Sequence, residues 1–234
     1  MKNRILIIIP AYNEEESIVG VITSLKETNK NYDVIVINDG SIDDTSNLAR
    51  KTNKAIVIDL PTNIGIGGAV QTGFKYAYSY DYDVAVQFDG DGQHDATQIP
   101  KLLAPLAEED IDCVIGSRFL GDNLGFQSTF TRRIGIRVFK YINLALIKQK
   151  ITDNTSGFRA YNKRAIKLLA FDYPTDYPEP ESVIILGKNK YKVKEVPALM
   201  HKRSGGSSSI SGFKSAYYMI KVTLSIFMAY LRRQ

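Results

Sequence analysis

Apolar residues fall in short unbroken blocks through the first half of the chain. Arg4–Pro10 holds four isoleucines, long enough for a strand buried on both faces and too short for a helix. Asp33–Asn38, Ala55–Asp59, Asp83–Phe88 and Ile111–Ser117 repeat the theme. Between these blocks the apolar period lengthens to that of a helix over Glu15–Thr28, Asp43–Lys51, Gly67–Tyr80 and Thr97–Glu109. Strands alternating with helices at this spacing predict an α/β fold with a doubly wound, mostly parallel sheet flanked by helices. In such sheets ligands sit beyond the carboxyl ends of the strands.

The second half is less regular. A basic, apolar helix is expected over Thr129–Lys148, a turn-rich loop over Thr152–Ala160, and a proline- and acid-rich stretch over Asp172–Pro180. Tyr191–Val196 reads as a strand. Ser204–Ser211, with two glycines and five serines, has the composition of a mobile loop. A last helix is expected from Gly212 to Arg233, with no internal repeat anywhere. The chain divides on this reading into a catalytic domain at 1–203, a Gly/Ser-rich loop at 204–211 and a basic amphipathic helix at 212–234.

Composition adds one important fact. The net charge of +5 over 234 residues is segregated. Residues 113–170 carry 11 basic and 2 acidic side chains, and residues 201–234 carry 6 basic and none acidic. That leaves 13 basic against 23 acidic in the remainder, an acidic body with two cationic segments. Such segments suit phosphate groups or an anionic membrane. A single cysteine, Cys113, excludes a disulfide framework and zinc sites built on paired cysteines. The apolar run that ends at Ile9 is too short for a signal peptide, so a cytoplasmic location is expected.

The candidate chemistry lies just after the strands. Pro10-Ala11-Tyr12-Asn13-Glu14 can turn an aromatic face and a carboxylate toward a ligand, or simply open a helix with acids at its dipole. Asn38-Asp39-Gly40-Ser41 offers Asp39 to a base or ribose, and also has the makings of a turn and cap. Asn63-Ile64-Gly65-Ile66-Gly67-Gly68-Ala69 is not a dinucleotide fingerprint, because the third glycine would fall at Val70 and the motif follows the wrong strand. Gly65 instead suits a close approach of backbone to a strand or a phosphate. The strongest signal is Phe88-Asp89-Gly90-Asp91-Gly92-Gln93-His94-Asp95. Two carboxylates two apart point the same way and suit Mg²⁺ or Mn²⁺ bound with a diphosphate, although a solvated acidic turn has the same composition. His94 reads as a residue behind such a site, or as a structural one, and not as a ligand.

In order and spacing, these motifs resemble the family 2 glycosyltransferases of the GT-A fold. The resemblance continues through Gly116-Ser117-Arg118, Asp153–Arg159, Arg203 and Gly205-Gly206-Ser207-Ser208, and so covers about residues 4–211. The most similar branch is that of the polyprenyl-phosphate sugar synthases, such as dolichol-phosphate mannose synthase. The resemblance implies that Pro10, Tyr12, Glu14, Asp39, Gly65, Asp89 and Gly90 hold a nucleotide-sugar donor. It implies Asp89, Asp91 and Gln93 as metal ligands, with Asp91 catalytic. It also implies that Arg118, Arg132 or Arg133, and Arg203 grip the acceptor phosphate. One position departs from the branch, where Ile136 stands in place of a serine four residues after the helix arginine.

The expected reaction is metal-dependent transfer of a hexose from UDP or GDP to a polyprenyl phosphate, with inversion. Extension of a lipid-linked or surface saccharide is the alternative; a hydroxyl acceptor needs a base, for which Glu181 or Glu179 is the candidate. A non-catalytic nucleotide-sugar-binding subunit is a third reading, opposed by the intact Asp89/Asp91 pair. Ala216–Leu231 is interrupted by Lys221 and falls short of the roughly 20 apolar residues of a span. Phe213, Tyr217, Ile220, Leu224, Phe227 and Leu231 follow one helical face, with Lys214, Lys221, Ser225 and Arg232 on another. Ile134, Val138, Tyr141 and Ala145 back a basic stripe of Arg133, Arg137 and Lys140 in the same way. These faces predict peripheral attachment to the anionic inner face of the cell membrane, with docking on the domain core, on a second copy or on a membrane-protein partner as the alternatives. No motif for nucleic acid accompanies the charge.

Overall fold

In the computed structural model the chain is described over residues 3–108, 110–120, 130–201 and 213–232, the side chains of 108, 130–137 and 213–220 excepted. The first half alternates as its pattern predicts: β1 (Ile5–Ala11), α1 (Ile18–Thr28), β2 (Asp33–Asn38), α2 (Thr45–Lys51), β3 (Ile56–Asp59), α3 (Gly65–Ser79), β4 (Val84–Gln87), α4 (Ile99–Glu108) and β5 (Cys113–Ser117). The second half adds α5 (Phe130–Ile147), β6 (Arg159–Asn162), α6 (Lys163–Phe171), α7 (Pro178–Lys188), β7 (Val193–Pro197) and α8 (Phe213–Leu231).

The seven strands are ordered β3-β2-β1-β4-β6-β5-β7. All neighbours are parallel except β6, which runs antiparallel to both β4 and β5. Because β1 is flanked by β2 and β4, the winding reverses there, and a crevice opens beyond the carboxyl ends of β1 and β4.

Alternate residues of each strand feed two cores, as a pleat of period two requires. Leu6, Ile8, Ile35 and Ile37 pack with α3, α5, α6, α7 and α8. Ile7, Ile9, Val34 and Val36 pack with α1, α2 and α4. Burial on both faces explains why these strands are unbroken apolar runs.

The loop expected over Thr152–Ala160 ends in strand β6, whose first residue is a fully buried arginine and not an apolar side chain. Asn162 closes β6 and caps α6, its side chain accepting from the Ala165 N–H at 2.9 Å. Pro178 sits at the first position of α7, so the proline-rich stretch is partly a helix start. The Gly/Ser-rich loop at 204–211 lies outside the described residues.

Candidate active site

The loops after β1 and β2 are stitched together by side chains capping main chain. Asn13 donates its N–H to Ser41 Oγ at 3.0 Å, and its Oδ1 accepts from the Ile42 N–H at 3.0 Å. The Glu14 N–H reaches Thr45 Oγ1 at 2.8 Å. Asp39, nearly buried, joins a third loop by accepting the Ile64 N–H at 2.8 Å, which leaves its other oxygen for a ligand. Gly40 adopts φ +69°, and a Cβ there would lie 2.7 Å from the Asn63 nitrogen, so the approach of these loops needs glycine.

These loops and the turn after β4 enclose a cleft of about 440 Å³. Pro10, Tyr12, Glu14, Asp39, Gly65, Asp89, Gly90 and Asp91 all line it. The seven residues expected to hold a nucleotide sugar therefore converge on one cleft, together with both metal-motif carboxylates. It lies where the strand order reverses.

Asp89 Oδ2 is 2.9 Å from His94 Nε2. The His94 ring stacks on Phe158, with centroids 5.0 Å apart, and lies edge-on to Phe88. Gly157 also packs against the carboxylate, where a Cβ would come within 2.7 Å of Asp89 Oδ1. Asp91 Oδ1 accepts the Gln93 N–H at 3.0 Å. Gln93 itself does not line the cleft; its Nε2 points to the His201 carbonyl at 3.4 Å, and its own carbonyl accepts the His201 N–H at 2.8 Å. Among the described residues no group of three or more His, Cys, Asp or Glu forms a complete metal shell. The carboxylate pair is an all-oxygen donor set of the kind that suits Mg²⁺ or Mn²⁺ completed by a ligand or water.

Arg118, just past β5, is clamped by Asp153. The carboxylate accepts from Arg118 Nε at 2.8 Å, Nη2 at 2.6 Å and the main-chain N–H at 2.9 Å, and Thr155 Oγ1 accepts a further bond from Nη2 at 2.6 Å. Burial alone would raise the Asp153 carboxyl, but the guanidinium holds it below the usual carboxylate range. Burial would likewise favour neutral Arg118, and the Asp153 bonds together with the nearby Asp89 charge keep it a cation.

Arg159 is wholly buried beneath this loop. It donates Nε to the Ser156 carbonyl at 2.7 Å, Nη2 to the Asn154 carbonyl at 2.7 Å and Nη1 to the Glu179 carbonyl at 2.9 Å. Nη1 also donates to Ser182 Oγ at 3.1 Å, so the arginine fastens the 154–156 turn to the start of α7. Glu179 accepts from Gln87 Nε2 at 3.2 Å, and burial pushes its carboxyl up. Glu181 accepts the Tyr177 N–H at 3.2 Å, and burial pushes its carboxyl up, an effect that the Ser225 hydroxyl of α8 opposes. Neither glutamate lines the cleft. Arg132 and Arg133 belong to α5, but their side chains, like all of Arg203, lie outside the described residues.

The profile of glycosyl transferase family 2 matches residues 6–169, which contain every residue lining the cleft. The chain belongs to glycosyl transferase family 2. Similar members include the UDP-N-acetylglucosamine–dolichyl-phosphate N-acetylglucosaminyltransferase of Methanococcus voltae, 33% identical, with 94% of this chain and 96% of that protein covered. The undecaprenyl-phosphate mannosyltransferase of Micrococcus luteus is 32% identical, with 94% and 93% covered. Among solved structures, glucosyl-3-phosphoglycerate synthase of Mycobacterium tuberculosis, crystallised with Mn²⁺, UDP and phosphoglyceric acid, superposes with a TM-score of 0.74 at 19% identity, covering 99% of this chain and 80% of that one. That likeness establishes the GT-A fold and, with the family match, makes this chain a glycosyltransferase.

Asp153 is not among the individual site residues expected from sequence, whereas His94, expected behind the site or in a structural role, does back Asp89. Asp153 carries a signal in hindsight: it is one of only two acids among the 58 residues that hold 11 basic ones. A lone acid in a cationic segment is the natural partner of a buried arginine. The His94–Asp89 contact has no such signal, because it depends on the ring slot made by Phe88 and the distant Phe158.

Proposed function

We propose that this glycosyltransferase moves a hexose-type sugar from a UDP- or GDP-sugar to a polyprenyl phosphate, with inversion at the anomeric carbon. The observation that carries the donor half is the convergence of Pro10, Tyr12, Glu14, Asp39, Gly65, Asp89 and Asp91 on one cleft. The acceptor half is supported by the two relatives above, similar over nearly their whole lengths and both named for a polyprenyl phosphate.

Asp89 and Asp91 would hold Mg²⁺ or Mn²⁺ on the donor diphosphate, where the cation supplies charge neutralisation for the departing nucleoside diphosphate. Gln93 joins them only if its amide leaves the His201 carbonyl. Asp39 offers a carboxylate oxygen to the nucleoside. Arg118, with its Nε and Nη2 taken by Asp153, retains Nη1 for the acceptor phosphate; Arg132, Arg133 and Arg203 are the further candidates. A phosphate nucleophile is already ionised near neutral pH and requires no strong base. A sugar hydroxyl does; Glu179 and Glu181 do not line the donor cleft, although Glu179 is near enough to Asp89 to feel its charge.

The same reading places α5 and α8 on an anionic bilayer. Val138, Tyr141 and Leu144 of α5, and Leu224, Phe227, Met228 and Leu231 of α8, are exposed, while Phe139, Val222 and Ile226 face the core. Among the described residues no helix is long and apolar enough to cross a membrane. Exposed apolar stripes beside Lys140 and Lys221 suit the interfacial plane.

The test is a screen of UDP- and GDP-sugars against short-chain polyprenyl phosphate with Mg²⁺ or Mn²⁺. Transfer to the lipid phosphate, abolished by chelator and by Asp91→Asn, is expected. Sugar delivered only to a saccharide hydroxyl would overturn the acceptor, and turnover undiminished in chelator would overturn the metal.

A further inference from the structure

We infer that Glu195 is a positioning residue for transfer, holding the Thr152–Asp153 backbone so that the Asp153 carboxylate can present Arg118 to the acceptor phosphate. The inference rests on the reading of Arg118 given above and extends it to a residue on another strand.

Glu195 lies on β7, in register with Ile115 of β5, two residues before that strand ends at Ser117. Its carboxylate is saturated by one short segment. Oε1 accepts the Asp153 N–H at 2.7 Å, and Oε2 accepts the Thr152 N–H at 2.8 Å. Thr152 Oγ1 lies 3.0 and 2.9 Å from the two oxygens. Two successive main-chain amides bound by one carboxylate fix the orientation of the peptide between them.

The Asp153 side chain leaves that fixed peptide to meet both the Arg118 guanidinium and the Arg118 main-chain N–H. The path is therefore continuous, from Glu195 through the Thr152–Asp153 main chain to the Asp153 carboxylate and Arg118. Glu195 does not line the donor cleft, so its effect must travel through this path. Burial pushes its carboxyl up, and the Thr152 and Asp153 donors oppose that shift.

Glu195→Gln keeps the volume but turns one acceptor into an amide donor facing an N–H. That leaves a buried donor unsatisfied and frees the peptide to shift. Glu195→Asp keeps the charge on a shorter arm and serves as the milder variant. The experiment is steady-state kinetics on the full chain with polyprenyl phosphate and the nucleotide sugar varied separately, for Glu195→Gln, Glu195→Asp, Arg118→Gln and the Glu195→Gln/Arg118→Gln double variant.

Glu195→Gln should raise the acceptor KM about tenfold, the scale of one charge-assisted hydrogen bond, with the donor KM nearly unchanged. Glu195→Asp should fall between it and the parent. The double variant should match Arg118→Gln alone, because both changes act on one path. If Arg118→Gln raises the acceptor KM while Glu195→Gln does not, or if the two effects add in full, Glu195 does not act through Arg118 and the inference is wrong. An equal rise in donor KM would make Glu195 a general structural residue and would also refute it. If Arg118→Gln leaves the acceptor KM unchanged, the arginine reading itself fails and takes the inference with it.

Discussion

His94 Nε2 meets Asp89 Oδ2 at 2.9 Å, with the imidazole ring held between Phe158 and Phe88. The side chain of His94 is fully buried, so the ring cannot turn away from the carboxylate without disturbing both phenylalanines. A ligand carboxylate fixed by such a partner binds metal better than one free to rotate, and loss of the partner typically costs about 10–100-fold in affinity. His94→Ala should weaken Mn²⁺ binding by that order, read by paramagnetic titration of the free protein without turnover. Unchanged binding would remove His94 from the site and weaken the case for Asp89 as a ligand.

Gly157 bears on the same carboxylate. A Cβ at that position would lie 2.7 and 2.8 Å from the two Asp89 oxygens, closer than van der Waals contact permits. Since His94 restrains Asp89, the carboxylate has little room to yield. Gly157→Ala should therefore lower Mn²⁺ affinity by a similar order to His94→Ala, while leaving Asp39 and the nucleoside end of the cleft intact. Equal losses of Mn²⁺ affinity and of metal-free UDP or GDP binding would point to general distortion of the loop instead.

The difference between what was and was not legible in the sequence has a physical origin. Strands β1, β2, β4 and β5 are buried on both faces, so their apolar runs announce them, while β3 is a half-exposed edge strand; topology then gathers Pro10, Asp39, Gly65 and Asp89 at the strand ends. Strand β6 escaped because Arg159 is satisfied by two carbonyls of the 154–156 turn and by a carbonyl and a hydroxyl of α7, which no local pattern reveals. The same holds for Glu195, an unremarkable strand acid until Thr152 and Asp153 fold against it. The exposed stripe of Leu224, Phe227 and Leu231 is legible from spacing, and docking on the core is among the alternatives the sequence offers, but the spacing does not mark Val222 and Ile226 as the face that docks. That helix is apolar on two sides, and a single-face reading finds only one of them.

Asp153 and Arg118 form a buried pair, with the two side chains 0% and 13% exposed. Removing one partner of such a pair leaves the other charge uncompensated and costs about 3–5 kcal/mol. Asp153→Asn should lose stability on that scale at neutral pH, measured by denaturant unfolding. The Asp153 carboxyl sits below its ordinary 3.8 in the fold, so its contribution is present above pH 3.8 and is lost as pH falls through the lower folded value. The gap between parent and variant should accordingly narrow in acid. A gap that stays constant through that range would show that the pair contributes by packing and not by charge.

Glu179 behaves in the opposite sense. Burial pushes its carboxyl above the ordinary 4.5, Asp89 adds to that push, and Arg159 opposes it without reversing it. A carboxyl raised by folding contributes stability that is full below pH 4.5 and lost as pH climbs through the folded value, because an ionised group must then be housed in the interior. Gln in its place keeps an acceptor for Gln87 and never ionises. Glu179→Gln should therefore gain on the parent as pH rises from 4.5, and the gain should level off once the parent's carboxyl is fully ionised. Glu181 and Glu195 are raised too, but they titrate alike in both proteins and cancel in the difference. Transfer to polyprenyl phosphate should survive the substitution, since the side chain does not line the cleft. A variant that folds with unchanged stability yet loses transfer would instead make Glu179 the base, and would revive a sugar hydroxyl as the acceptor.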